Sequence, residues 1–283
     1  MQKIREEWWS RDGGLSGWSG EYARRHRKRR QGVHLAGKRS GAEGPGFGIH
    51  CFIINNPGTI DDFYHVQEEV NAGGSAQVFK AMEKATKASA ENVGAGDIGR
   101  VIQEVAIMKT LDHPNIIKLF ETFEDDRHLF LVLEFCKGGD VLDRVVADGV
   151  MDELSLLSMS WVEDEGLHRL NYLNANGYAH RDLKPENIMY KESKEDRMVS
   201  QLRLVDFGYA CRSPEEGKSL RTKVGSPYYV APEVLAGSYG KECDMWSLGA
   251  LCFMIISGIP PFFGDTDAQT LRLIKEGKSA LQA

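Results

Sequence analysis

No C-x-x-C pair occurs in this 283-residue chain. The five cysteines, Cys51, Cys136, Cys211, Cys243 and Cys252, are scattered and odd in number. That excludes a zinc ribbon and a disulfide framework and fits a reducing compartment. Long apolar runs are lacking as well. The longest, LGALCFMIISGIPPFF, is broken by Ser257, Gly258 and two prolines, so it predicts a buried helix followed by a loop and no membrane span. The opening MQKIREEWW has no extended apolar core and carries acids early, so no signal peptide is expected. Gln2 stands where N-myristoylation needs a glycine. No internal repeat is visible, and no D-x-[DN]-x-[DN]-G calcium loop exists.

What is present is ordinary in bulk, with 42% hydrophobic and 27% charged residues, the texture of a soluble globular protein with ample core. The formal charge of −6 is unevenly spread. Residues 1–60 carry 11 Lys/Arg against 5 Asp/Glu, or +6, which leaves −12 for residues 61–283. An acidic body argues against general nucleic-acid binding and suits basic partners. Residues 1–60 are therefore read as a disordered basic segment, rich in Gly, Ser and Arg and without apolar periodicity. Within it RRHRKRR, Arg24–Arg30, is either a nuclear-import or anionic-surface patch or a solvated charge run.

Packing begins near FYHVQEEV, where Tyr64, Val66 and Val70 recur at even spacing and predict a strand, followed by a glycine cluster and a second strand at QVFKAM. Val101, Val105, Met108 and Leu111 recur at helical spacing, with Pro114 ending the helix. NIIKLFETF and HLFLVLEF flank the turn-like EDDR and predict a hairpin. From about Asp140 onward helical patterns alternate with short motif-bearing loops. The expected organisation is a domain over 61–283, split into a strand-rich part at 61–135 and a larger helical part at 136–283.

The chemistry concentrates in HRDLKPEN, His180–Asn187. Leu183 and Pro185 can anchor the loop while a carboxylate (Asp182), a cation (Lys184) and an amide (Asn187) project from it. Those groups are what is needed to orient a hydroxyl, neutralise a phosphate oxygen and hold a metal. A second carboxylate, Asp206 in VDFGYA, follows the aliphatic Leu202, Leu204 and Val205, and suits a hard cation such as Mg²⁺.

These residues carry a resemblance. HRDLKPEN, the D-F-G at Asp206–Gly208, the A-P-E at Ala231–Glu233 and DMWSLG at Asp244–Gly249 stand in the order found in eukaryotic protein kinases. Lys184 and GSPYYVAPE make the chain similar to the Ser/Thr kinases. LDHPNIIKLFETFED and RTKVGSPYYVAPEVL make it similar to the calcium-dependent protein kinases. The resemblance implies an α+β, two-lobe kinase fold with a small antiparallel-sheet lobe and a larger helical lobe. It implies ATP and Mg²⁺ as cofactors and protein substrates with basic motifs as partners. It also implies a cytoplasmic or, through Arg24–Arg30, nuclear location.

It further implies roles. Asp182 would orient the acceptor hydroxyl, Lys184 would contact the γ-phosphate, and Asn187 and Asp206 would hold Mg²⁺. Gly73, Gly74 and Val78 would cover the nucleotide, Glu134 and Cys136 would offer backbone groups to adenine, and Leu133 would line the pocket behind it. Asp140 and Glu186 are either acids for a substrate arginine or solvated surface acids. Arg181 either pairs with a phosphate on Thr222 or is a plain structural arginine.

The pattern departs from the family at four places. The glycine loop reads NAGGSAQV, so its three glycine positions become Asn71, Gly73 and Ala76. The family's lysine-bearing strand falls near Val93, where SAENVGAGDIG has no lysine and little strand propensity. That strand is expected to be missing or replaced, leaving Glu104 without its partner. Lys80, Lys84 and Lys87 all lie earlier. Finally, VEDEGLHRL predicts a frayed helix start. The stop at LRLIKEGKSALQA, short of the family's last helices, predicts an exposed apolar patch. An impaired kinase or scaffold is the alternative that these departures imply.

Overall fold

A computed structural model describes residues 58–73, 76–84, 89–93, 98–125, 128–148, 165–192, 201–214 and 218–279. The basic run Arg24–Arg30, Lys87, Gly74 and Ser75 lie outside the described residues. The described residues fall into two compact units, the first comprising 138–148, 165–192, 201–205, 209–214 and 218–279, the second 58–73, 76–84, 89–93, 98–125, 128–137 and 206–208.

The second unit opens with a short helix, α1 (Ile60–Phe63), and is built on a five-stranded antiparallel sheet in the order β1-β2-β3-β5-β4. Its strands are β1 (Tyr64–Gly73), β2 (Ala76–Glu83), β3 (Ser89–Val93), β4 (Leu119–Glu124) and β5 (Leu129–Glu134), with α2 (Ile98–Thr110) between β3 and β4. The hairpin expected around EDDR is β4–β5, with Phe123 opposite Phe130. Ile60, Tyr64, Ala81, Phe123 and Val132 form the core beside this sheet. The Tyr64 ring meets Phe123 edge-on at 6.0 Å, and its hydroxyl donates to Glu121 at 2.9 Å. Along α2, Val101, Val105 and Met108 are buried as their spacing predicts, and the helix ends at Thr110, ahead of Pro114.

Two expectations are corrected here. β3 is present, where no strand was expected. Val93 lies opposite Val78 on one side and Leu131 on the other, and Ala90 lies opposite Ala81 and Glu134. A segment of poor propensity becomes a central strand because neighbours on both sides take up its backbone N–H and C=O groups. The sequence of β3 nevertheless contains no lysine. The even spacing of β1 also misled in part. Tyr64 is buried, but Val66 is 38% exposed. Beyond Val66 the pairing with β2 shifts before Glu69 and again before Asn71, so the alternation is not kept along the strand.

The first unit is mostly helical, with α3 (Val141–Asp148), α4 (Glu165–Ala175), α5 (Pro232–Ala236), α6 (Cys243–Ser257) and α7 (Asp267–Glu276). Two small antiparallel pairs complete it, β6 (Tyr178–Ala179) with β9 (Cys211–Arg212) and β7 (Ile188–Tyr190) with β8 (Leu202–Leu204). The described part of α4 begins at Glu165 and includes Gly166, whereas the acids before it lie outside the described residues. The apolar run becomes α6, ended by Gly258 in the left-handed conformation. No described helix is long and apolar enough to cross a membrane. Val230, Ala231, Val234, Tyr239, Cys243, Phe262 and Ile274 pack into one core around the α5–α6 connection. Met245 is 41% exposed, and Leu248, Cys252, Phe253 and Ile256 of the same helix are only partly buried.

Candidate active site

The loop His180–Asn187 joins β6 to β7 and ends in a single 3-10 turn at Pro185–Asn187. Its start is held from below by Asp244, at the first turn of α6. One carboxylate oxygen accepts the His180 backbone N–H at 2.7 Å and the other accepts that of Arg181 at 2.8 Å. Both bonds are needed because Arg181 takes a left-handed backbone, with φ of 68°, which costs energy for a residue with a side chain. Asp244 is fully buried. Burial pushes its carboxyl above the ordinary range, while His180 and the two backbone bonds pull the other way. Leu183 and Pro185 are buried, as anchors should be.

Asp182 is 3% exposed and stands at the centre of a compact polar cluster. Its Oδ2 takes the Lys184 ammonium at 2.7 Å. Its Oδ1 takes both the backbone N–H and the hydroxyl of Ser226, each at 2.8 Å. Lys184 also lies 3.4 Å from the Ser226 hydroxyl. The Asn187 amide nitrogen donates to the Asp182 carbonyl at 2.8 Å and lies 3.4 Å from Oδ2. So Asp182, Lys184 and Asn187, separated in sequence by two and three residues, are brought together. The result is a carboxylate of fixed rotamer with a cation beside it, suited to orienting a hydroxyl and countering a phosphate.

Ser226 carries no role in the sequence reading, although it lies in the quoted GSPYYVAPE. Its signal is the preceding glycine. Gly225 has φ of +112°, and a Cβ there would lie 2.8 Å from the Arg181 carbonyl oxygen. Only glycine lets the two backbones approach closely enough for Ser226 to meet Asp182.

Asn187 commits its amide nitrogen to Asp182, which leaves the side-chain oxygen as its hard donor. Asp206 directly follows Val205, whose backbone N–H bonds the Asn187 carbonyl at 2.9 Å. Asp206 has φ of 62°, and its Oδ1 accepts the Gly208 N–H at 3.2 Å. Among the described residues no group of three or more His, Cys, Asp or Glu is placed to hold a metal. A carboxylate and an amide oxygen are each the kind of hard donor that Mg²⁺ takes alongside waters and substrate phosphates.

In the second unit, Val78 and Leu133 are buried at 2% each, Glu134 ends β5, and Cys136 is buried just after it. Gly73 ends β1, while Gly74 lies outside the described residues. The Lys80 ammonium lies 5.8 Å from the centre of the Phe135 ring. Glu104 corrects a further expectation. It is 6% exposed and engaged in an interaction, neither unpaired nor turned outward. A Cβ on Gly208 would lie 3.7 Å from its Oε2, so the α2 carboxylate sits against the Asp206–Gly208 segment.

The two substrate-acid candidates differ. Asp140 caps α3, its Oδ1 accepting the Asp143 N–H at 2.7 Å. Glu186 has one oxygen, Oε2, closed off from solvent and without a hydrogen-bond partner. Burial pushes its carboxyl above the ordinary range, with Lys184 opposing the shift. Arg181 donates through Nε to the Tyr209 carbonyl at 2.7 Å and through Nη1 to the Tyr239 hydroxyl at 3.1 Å.

A chain with a buried catalytic-type loop braced on a helix-borne aspartate in one unit, and a five-stranded antiparallel sheet in the other, is a protein-kinase-like α+β chain. The protein kinase domain model matches residues 64–282, and the chain belongs to that family. It is similar to calcium-dependent protein kinases. It is 37% identical to calcium-dependent protein kinase 3 of Plasmodium yoelii yoelii over 238 residues, 82% of this chain and 43% of that protein. It is 36% identical to calcium-dependent protein kinase 5 of Plasmodium falciparum (isolate 3D7) over 236 residues, 81% of this chain and 40% of that protein. The chain thus spans less than half the length of these curated relatives.

Proposed function

We propose that this chain is an ATP- and Mg²⁺-dependent protein kinase that phosphorylates Ser or Thr on protein substrates with basic residues near the acceptor. The observation that carries the reading is the Asp182 carboxylate, buried and fixed between Lys184 and Ser226. Asp182 orients the acceptor hydroxyl and takes its proton as transfer proceeds. Lys184, already beside that carboxylate, counters charge on the γ-phosphate. The side-chain oxygens of Asn187 and Asp206 would hold Mg²⁺, which would neutralise phosphate oxygens. Val78, Leu133 and the backbone of Glu134 and Cys136 receive adenine, with Gly73 and Gly74 over the phosphates. Ser/Thr specificity is supported by Lys184 and by the serine of GSPYYVAPE bonded to it. Asp140, Glu186 and the acidic body support a basic substrate.

An arginine-walk peptide library with Mg-ATP tests the substrate class. Basic peptides should be preferred, and preference for acidic or proline-directed peptides overturns the assignment. Because burial raises the Glu186 carboxyl, protonation begins at a higher pH than for an ordinary glutamate. The KM for an arginine peptide should therefore rise with falling pH, starting at a higher pH than an ordinary glutamate would give, and Glu186→Gln should flatten that dependence. A wild-type profile as flat as the variant's would remove Glu186 from substrate binding.

A second reading, a nucleotide-binding scaffold with impaired transfer, is favoured by one observation: β3 holds Ser, Ala, Glu, Asn and Val and no lysine. Stabilisation by Mg-ATP on thermal unfolding without peptide turnover would select it. Lys87, the cation nearest in sequence to β3, is not expected to replace the family's lysine, so Lys87→Ala should change ATP affinity less than about twofold. A tenfold loss, about 1.4 kcal/mol, would assign that role to Lys87.

A further inference from the structure

Ser226 reaches Asp182 at the end of a segment that begins near Lys218, and that segment is fastened to one short stretch between α5 and α6. Leu220 and Tyr239 form an antiparallel bridge, Leu220 N–H to Tyr239 carbonyl at 2.8 Å and the return bond at 3.2 Å. One residue outward on each side, the Ser238 hydroxyl donates to that of Ser219 at 3.1 Å. The Tyr239 side chain adds a third tie. Its ring is 4% exposed in the Val230–Ile274 core, and its hydroxyl donates to the Thr222 carbonyl while accepting from Arg181 Nη1. Arg181 is the residue whose carbonyl meets Gly225 and whose N–H rests on Asp244. The chain of bonds therefore runs from Thr222 through Tyr239 to Arg181, next to Asp182.

We propose that Tyr239 is a positioning residue whose hydroxyl couples Arg181 to the Thr222 carbonyl and so holds the 218–226 segment with Ser226 against Asp182. The coupling uses a backbone carbonyl. The Thr222 side chain is exposed, as are the flanking Arg221 and Lys223, so it needs no group attached to it. The activity consequence rests on the kinase reading, but the ordering of the segment does not.

Limited trypsin digestion of the full chain, mapped by mass spectrometry, separates the two. Arg221 and Lys223 supply cleavage sites inside the segment. Tyr239→Phe keeps the ring in its core and removes only the hydroxyl. Cleavage after Arg221 and Lys223 should quicken about tenfold, with cleavage elsewhere unchanged. Thr222→Ala, which keeps the carbonyl, should leave the pattern as in the parent chain. If the parent chain phosphorylates peptides, Tyr239→Phe should lower kcat with the KM for ATP unchanged. Three results would overturn the proposal: unchanged cleavage in Tyr239→Phe, equal acceleration at all sites, or the same acceleration in Thr222→Ala. A chain with no turnover at all would fail the kinase reading and leave the digestion result to decide this one.

Discussion

Asp182→Asn is expected to lower peptide phosphorylation by about 10³-fold, within the range that a positioned general base supplies. The amide is close in shape to the carboxylate, so its oxygen can still accept from Ser226. It cannot take a proton, and its NH₂ would face the Lys184 ammonium that now lies 2.7 Å from Oδ2. Because the cluster keeps its shape and Lys184, 19% exposed, retains some access to water, the thermal midpoint should move less than the rate. Asp206→Asn should remove activity to a similar degree by a different route, through a neutral donor in place of the metal-holding carboxylate. Its loss should be partly offset by raised Mg²⁺, whereas that of Asp182→Asn should not. Near-parental rates in either variant, measured with radiolabelled ATP, would refute the proposed roles.

The largest stability effect is expected at Asp244. Asp244→Ala removes a fully buried carboxylate and leaves the N–H groups of His180 and Arg181 without acceptors. Each buried donor left unpaired costs about 1–3 kcal/mol. The left-handed backbone of Arg181 loses its support at the same time. A loss of about 3–5 kcal/mol follows, in the range seen when a buried charged partner is deleted. Denaturant unfolding should show a much lower midpoint or no cooperative transition for the unit. Asp244→Asn, which keeps one acceptor oxygen, should lose roughly half as much. If Asp244→Ala unfolded at the parental midpoint, the aspartate could not be what supports the loop.

The expected effects fall on residues that differ in how far the sequence announced them. Asp182, Lys184 and Asn187 lie within six consecutive positions, and a loop that short must bring them near one another. The helix α2 was equally legible, because a stripe at 3.6-residue spacing has few other solutions. β3 was not. SAENV has little to distinguish it from a loop, and its strand conformation comes from β2 and β5 on either side. Glu104 was misjudged for the same reason. Its fate depends on the Asp206–Gly208 segment, about a hundred residues away in the chain.

The sequence by itself determined the kinase class, the motif-bearing loop, the absence of a lysine in β3, the helices α2 and α6, and the β4–β5 hairpin. These are matters of residue identity, short spacing and local period. Only the tertiary structure decided that Ser226 completes the Asp182 cluster, that Asp244 carries the backbone of His180 and Arg181, and that Tyr239 links Arg181 to Thr222. Each of those joins groups between 17 and 64 residues apart. Hydrogen bonds of that span leave no periodicity in the chain, because they are set by where packed elements bring the backbone.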